Sequence, residues 1–228
     1  MTDQSIDSKT NATPNDTLMG NLTVEFIGTF FLVLTISMVV IKASDLSIVA
    51  PLAIGFTLTA MVYAFGPISG AHFNPAVTIG LYLTQRCPRA HVGPYIATEC
   101  LGALCAAALA LYMRGEAEAM IEAAPTAGFI AEAVWTFLLV FVILRITSKQ
   151  VEGNQWFGIV VGFTVAGGAW VMGSESGAAF NPAVWIGLAV QGKLAWSGWL
   201  IYLIAPIVGA GFAVACNQLV EPTTIEPA

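Results

Sequence analysis

Two nine-residue stretches combine the residue types that could do chemistry in this chain. Residues 69–77 read Ser-Gly-Ala-His-Phe-Asn-Pro-Ala-Val, and residues 176–184 read Ser-Gly-Ala-Ala-Phe-Asn-Pro-Ala-Val. Asn is a strong N-cap and Pro suits the first helical position, so a short helix is predicted at 75–83 and another at 182–189. Each capping Asn oxygen would accept from backbone donors at the positive end of its helix. The Asn NH2 group would then remain able to donate outward.

The two stretches occupy equivalent places in an internal repeat. Asn181 follows Asn74 by 107 residues. The same offset relates three further pairs: Glu25 and Glu132, Gly55 and Gly162, and Gly102 and Gly209. A single Asn-Pro-Ala would be an ordinary helix start, but its repetition at matched positions indicates a duplicated half.

The composition is that of a membrane protein. Of the 228 residues, 57% are hydrophobic and only 10% are charged, and the mean hydropathy is +0.79. Soluble domains carry about 25% charged residues. The net charge of −6 comes from few groups, so nothing indicates a nucleic-acid partner. The four cysteines lack metal-ligand spacing, and neither a metal site nor a cofactor is predicted.

The apolar runs predict six membrane spans, three in each half. They are expected at residues 22–41, 47–65, 91–112, 128–144, 155–172 and 195–216. A polar tail (1–21), a charged connector (113–127) and an acidic tail (217–228) complete the chain. Residues 22–216 would form one channel domain made of two repeats, about 22–112 and 128–216. The expected fold is an all-α membrane protein with six transmembrane helices and two re-entrant half-helices.

Three crossings per half place the second half upside down relative to the first. The pseudo-twofold axis then lies in the membrane plane, and the two short helices enter from opposite faces with their N-termini together. Irregular backbone at that depth is tolerated only where it is buried in protein or lines water, which indicates a pore. With both termini in the cytoplasm, five basic residues lie inside and three outside: Lys9, Arg86, Arg89, Arg145 and Lys149 against Lys42, Arg114 and Lys193.

From residue 24 to residue 215 the chain resembles the major intrinsic protein family, the aquaporins and aquaglyceroporins. The resemblance rests on both Asn-Pro-Ala boxes, the Ser-Gly-Ala-His sequence at Ser69, and Glu25 and Glu132. It implies six tilted spans, a pore through each subunit and a homotetramer in a lipid bilayer. The implied solutes are small and neutral, and the membrane is expected to be a bacterial inner membrane.

The resemblance assigns roles to both loops and both boxes. Asn74 and Asn181, followed by Pro75, Ala76, Pro182 and Ala183, would donate to a permeating molecule at mid-membrane. Two positive half-helix ends there would repel cations and oppose proton hopping. Loop carbonyls would supply acceptors along one wall, at Gly70, Ala71, His72, Phe73, Gly177, Ala179 and Phe180.

The chain departs from the family pattern at the selectivity filter. Family members usually carry Arg directly after the second box, and here the residue is Val184. Alignment on the Asn residues places Ile54, Ala169 and Ala178 at the other filter positions. This ring has no charge and little bulk, so a wide apolar filter is expected, open to water, glycerol-like polyols and arsenite-type or methylated metalloid acids. Three neighbours in sequence could refill the gap: Trp170, Trp185 and Glu175.

Several residues admit more than one interpretation. Glu25 and Glu132 are either buried carboxylates that support the re-entrant loops or coupling groups of an ion- or proton-driven secondary transporter. His72 is either a pH sensor or a hydrogen-bonded residue at the inner mouth of the pore. Ser69 beside His72 is the one nucleophile–base candidate. Since the equivalent of His72 is Ala179, no enzyme activity is predicted.

Overall fold

A computed structural model describes residues 18–40 and 49–220 of the chain. The eight α-helices in these ranges are α1 (Leu18–Val40), α2 (Ala50–Ser69), α3 (Pro75–Leu83), α4 (Arg89–Arg114), α5 (Pro125–Ile146), α6 (Phe157–Ser176), α7 (Pro182–Val190) and α8 (Ala205–Val220). A π-helical turn, Leu200–Ile204, leads directly into α8. Short 3-10 helices occupy Lys149–Val151 and Trp196–Gly198.

The predicted architecture is confirmed within this part of the chain. Six helical segments are long and apolar enough to cross a membrane: α1, α2, α4, α5, α6 and the continuous helix Leu200–Val220. The helices α3 and α7 have nine residues each. At about 1.5 Å per residue they cover less than half of a hydrocarbon core roughly 30 Å thick. They are half-helices.

The ends of several spans differ from the predicted ones. Helix α1 begins at Leu18 rather than residue 22, and the last helix continues to Val220 rather than residue 216. The helices α2 and α6 each run four residues further than predicted. Hydropathy locates the apolar centre of a span, whereas α2 and α6 end where Gly70 and Gly177 adopt left-handed φ values of 91° and 84°.

Some of the predicted features lie outside the described residues. They are residues 1–17 and 221–228 of the two tails, the last residue of the first predicted span, the first two residues of the second predicted span, and the basic residues Lys9 and Lys42.

The spans pack as two equivalent sets. Helix α1 packs on α4 and, in the second half, α5 packs on α8, while α2 and α6 pack on each other. Glycines allow these close approaches. A Cβ on Gly102 would lie 2.7 Å from the Phe26 carbonyl oxygen, and one on Gly209 would lie 2.2 Å from that of Ala133.

Each half-helix is held partly by the opposite half of the chain. Helix α3 packs on α8 as well as α4, and α7 packs on α4 and α1. This exchange brings the N-terminal ends of α3 and α7 together between the spans.

Candidate functional site

Both half-helices begin through the predicted cap chemistry. The Asn74 side-chain oxygen accepts a hydrogen bond of 2.9 Å from the Ala76 backbone N–H, and Asn181 accepts one of 2.9 Å from Ala183. Proline occupies the first helical position in both helices. Helix α3 has the predicted bounds, and α7 is one residue longer than predicted. The capping Asn and the three residues that follow it are buried in both halves: Asn74, Pro75, Ala76 and Val77 in the first, and Asn181, Pro182, Ala183 and Val184 in the second.

The Asn side chains also tie the two halves together. The Asn74 NH2 group donates to the Phe180 carbonyl at 2.9 Å, and the Asn181 NH2 group donates to the Phe73 carbonyl at 2.8 Å. An amide NH2 group has two hydrogens, so each Asn retains one N–H for another acceptor. Of the two N–H hydrogens that each Asn could offer to a permeating molecule, one is therefore used in a hydrogen bond to the opposite half of the chain.

Each buried glutamate binds the loop that precedes the half-helix of its own half. Glu25 Oε1 accepts from the Ser69 hydroxyl at 2.5 Å and the His72 N–H at 2.9 Å, and Oε2 accepts from the Phe73 N–H at 2.7 Å. The second half repeats these contacts at 2.6, 2.9 and 2.5 Å, with Ser176, Ala179 and Phe180 around Glu132. Both carboxylates are fully buried. Because Ser69 donates to Glu25, no nucleophile–base pair with His72 exists.

The loops need this support because their backbone is strained. Ala71, Phe73, Ala178 and Phe180 have φ values of 51°, 50°, 52° and 49°. Such left-handed conformations cost of order 1–3 kcal/mol each for non-glycine residues. In the described part of the chain, the Ala71, His72, Ala178 and Ala179 carbonyls accept no hydrogen bond. Three of them, the carbonyls of Ala71, His72 and Ala179, belong to the acceptors predicted from the sequence, whereas the predicted Phe73 and Phe180 carbonyls already accept from Asn181 and Asn74.

Two cavities meet at these loops. The first has a volume of about 180 Å³ and contains both box asparagines in its lining. The second, of about 640 Å³, lies against the end of α5 and the connection to α6. They share the lining residues Ala71, Val77, Ile143 and Val161, so they adjoin each other, and the two together are called the path here. All predicted loop residues line it: Ala71, His72, Phe73, Gly177, Ala179 and Phe180 in the first cavity and Gly70 in the second.

The four filter positions predicted from the alignment lie together in the first cavity. Their side chains carry no charge and no hydrogen-bond donor: Ile54, Ala169, Ala178 and Val184. Val184, the residue directly after the second Asn-Pro-Ala, is 1% exposed.

None of the three residues that could refill this gap lines either cavity. Trp170 is 55% exposed on the outside of α6, and Glu175 is exposed as well. The Trp185 indole N–H donates to the Ala195 carbonyl at 3.3 Å, and its ring stacks on Tyr202. Trp185 therefore packs behind the half-helix.

Sequence reasoning missed a further residue of the first cavity, Ile121. The connector between the halves folds back on the end of α7, where the Ile121 N–H donates to the Lys193 carbonyl at 2.8 Å and Ile121 pairs with Leu194. Its side chain lies beside Gly177 and lines the first cavity. Burial lowers the pKa of the nearby Lys193, and Glu118 opposes this shift. No local pattern in the sequence marks a connector residue for such a position.

Comparisons with known proteins agree with this geometry. The sequence model described as "Major intrinsic protein" matches residues 52–216. "Aquaporin AqpM" of Methanothermobacter marburgensis is 38% identical over 182 residues, which are 73% of this chain and 74% of that protein. "Glycerol uptake facilitator protein-like 6" of Lactiplantibacillus plantarum is 36% identical over 208 residues, 86% of this chain and 95% of that protein. The crystal structure of an aquaglyceroporin from Plasmodium falciparum shares the fold, with a TM-score of 0.76 at 21% identity, over 90% of this chain and 98% of that one.

Six spans, two half-helices that meet at their N-termini and a path between them define a membrane channel. The chain belongs to the major intrinsic protein family. It is an integral membrane protein of a family of channels for water and small neutral solutes.

Proposed function

We propose that this protein is a passive channel with a wide apolar filter. It would conduct water, glycerol-like polyols and undissociated metalloid acids of the arsenite type, including methylated forms. The observation that carries the proposal is the ring of Ile54, Ala169, Ala178 and Val184 in the first cavity. The side chains of such a ring cannot hydrogen-bond a solute, and three of the four are no larger than valine. Polyols and hydroxylated metalloids resemble each other in size and in the hydroxyl groups they display.

The rest of the path would supply polarity without tight binding. Each of Asn74 and Asn181 keeps one N–H for a solute oxygen, and the loop carbonyls accept from solute hydroxyls. The opposite wall is apolar, with Leu32, Leu139 and Val161 among its residues. The positive N-terminal ends of α3 and α7 would repel cations. Because the proposed filter has no arginine, these helix ends would be the main source of positive potential along the path.

A coupled transporter is not favoured because its carboxylates are engaged. Both oxygens of Glu25 and of Glu132 accept hydrogen bonds from loop donors. Releasing either side chain to carry a proton would leave buried backbone donors unpaired in a low-dielectric interior. We infer that these residues are structural, that the protein assembles as a homotetramer, and that it lies in a bacterial inner membrane with both termini in the cytoplasm.

Permeability of proteoliposomes tests the filter. Stopped-flow light scattering would compare water and glycerol flux for the native protein and for Val184→Arg, with Val184→Leu as a control that adds bulk without charge. We expect native glycerol flux that does not saturate and that Val184→Arg lowers by at least about tenfold, a barrier increase of roughly 1.4 kcal/mol. The Leu variant should keep most of the flux.

Two results would contradict the proposal. Water flux without glycerol flux would show that another group narrows the filter. Saturable glycerol uptake that depends on a proton or sodium gradient would favour the secondary transporter.

A further inference from the structure

A polar group of three residues distinguishes the first half of the chain from the second. It consists of His72, Thr78 and Glu99. At the offset of 107 residues, the second half has Ala179, Trp185 and Pro206 instead. The two loops otherwise repeat each other closely, so one end of the path carries a buried hydrogen-bond chain that the other end lacks.

The three side chains form a continuous chain of hydrogen bonds. His72 Nδ1 lies 2.9 Å from the Thr78 hydroxyl oxygen, and the Thr78 hydroxyl donates to Glu99 Oε1 at 2.7 Å. Thr78 and Glu99 are fully buried, and His72 is 7% exposed. The second oxygen of Glu99, Oε2, has no hydrogen-bond partner in the described residues, although the Asn74 backbone N–H is directed at the same carboxyl group.

Counting hydrogens assigns a direction to this chain. The Thr78 hydroxyl has one hydrogen, and Glu99 Oε1 can accept it whether the carboxyl group is ionised or carries its proton on Oε2. Because Thr78 gives its hydrogen to Glu99, only lone pairs remain on the Thr78 oxygen for His72. Nδ1 must then be the donor of the 2.9 Å contact, and Nε2 of the neutral ring is left as an acceptor.

The free ring nitrogen faces the path. His72 lines the first cavity, and Nε2 lies on the side of Gly70, which lines the second cavity. It has no hydrogen-bond partner in the described residues, and unlike the buried unpartnered atoms it remains accessible. A solute passing between the cavities meets this nitrogen.

We propose that Glu99, acting through Thr78, holds His72 in the tautomer with the proton on Nδ1, so that Nε2 presents a hydrogen-bond acceptor to the path. Glu99 and Thr78 are positioning residues, and His72 is the group that meets the solute. The acceptor favours neutral solutes that donate a hydrogen bond, above all hydroxyl compounds. This selection of solute class rests on the proposed channel function, whereas the tautomer does not.

Nitrogen-15 NMR of histidine-labelled protein in lipid nanodiscs tests the tautomer directly. The chain has two histidines, and His91→Gln assigns the remaining signals to His72. We expect a protonated Nδ1 and an unprotonated Nε2 in the native protein. Thr78→Val removes the acceptor for Nδ1–H, so the proton should move to Nε2. The control Thr29→Val replaces a buried threonine whose hydroxyl has no partner in the described structure, and it should leave the native tautomer.

The outcomes separate this inference from the proposed function. A native protein with the proton on Nε2, or a Thr78→Val variant with an unchanged tautomer, would overturn the inference whatever the solute flux. If the NMR results are as expected, the permeability to glycerol relative to dimethyl sulfoxide, a neutral solute without a hydrogen-bond donor, should fall about fivefold in Thr78→Val, the effect of one ordinary hydrogen bond. An unchanged ratio would refute the selection of solute class. Absence of glycerol flux in the native protein would instead refute the proposed function.

Discussion

Replacing Glu132 by Gln tests whether a carboxylate holds the second re-entrant loop in place. In the native protein Oε1 accepts from the Ser176 hydroxyl and the Ala179 N–H, and Oε2 accepts from the Phe180 N–H. Glutamine has nearly the same shape but only one oxygen. Its NH2 group must therefore face at least one of these donors.

The energetic effect follows from this mismatch. A buried backbone N–H left without an acceptor costs about 1–3 kcal/mol, so about 2 kcal/mol is expected for Phe180 alone. Ala178 and Phe180 also hold left-handed backbone conformations that persist only while surrounding contacts impose them. The loop should open locally about 30-fold more often, while the six spans remain folded.

Amide hydrogen exchange on the protein in nanodiscs measures this opening. Exchange at Ala179 and Phe180 should be about 30-fold faster in Glu132→Gln. Glu25→Gln is the matched variant, because Glu25 makes the equivalent contacts to His72 and Phe73. Each substitution should affect its own loop, and solute flux should fall in both.

Two results would refute this reasoning. Unchanged protection of Ala179 and Phe180 in Glu132→Gln would show that the carboxylate does not support the loop. If a proton gradient drives uptake by the native protein, and both Gln variants abolish that coupling with their loops intact, the carboxylates are coupling groups and the channel interpretation is wrong.

Two further substitutions test the first cavity and the helix packing. Ile121→Ala should widen the path beside Gly177 and raise the permeability to erythritol relative to water severalfold, whereas the lipid-facing change Ile130→Ala should not. Equal permeability ratios in the two variants would show that Ile121 does not restrict the path. Gly209→Ala would place a Cβ 2.2 Å from the Ala133 carbonyl oxygen and should destabilise the protein by about 1–3 kcal/mol in thermal unfolding. Gly211→Ala, in the same helix with no atom within 4 Å of its new Cβ, should have no such effect, and similar unfolding temperatures would contradict the packing argument.

The half-helices could be predicted to within one residue because their signals are local. An Asn cap followed by Pro fixes the start of α3 and α7 whatever surrounds them. The ends of the spans were predicted less well. Hydropathy does not report that α2 continues past Pro67 until Gly70 turns the chain.

The candidate site likewise contains residues that a sequence pattern marks and residues that only the folded chain brings into place. The repeat at 107 residues was enough to single out both glutamates and both loops, and the resemblance to the family supplied the four proposed filter positions. Ile121 could not be found because its place depends on how the connector folds against α7. Thr78 and Glu99 were missed because they have no counterpart in the second half, so the repeat gave no reason to examine them.

The bonds between the Asn caps and the opposite loops also constrain how the protein is made. Phe73 and its partner Asn181 are 108 residues apart in the chain. At a synthesis rate of about 5–20 residues per second, the ribosome needs roughly 5–20 s to add the second residue after the first. During that interval the first loop can be held by Glu25 but lacks its amide partner from the second half. A nascent chain stalled between the halves should therefore contain an inserted but unfinished half-channel, which is completed only when the second half enters the membrane in the opposite orientation.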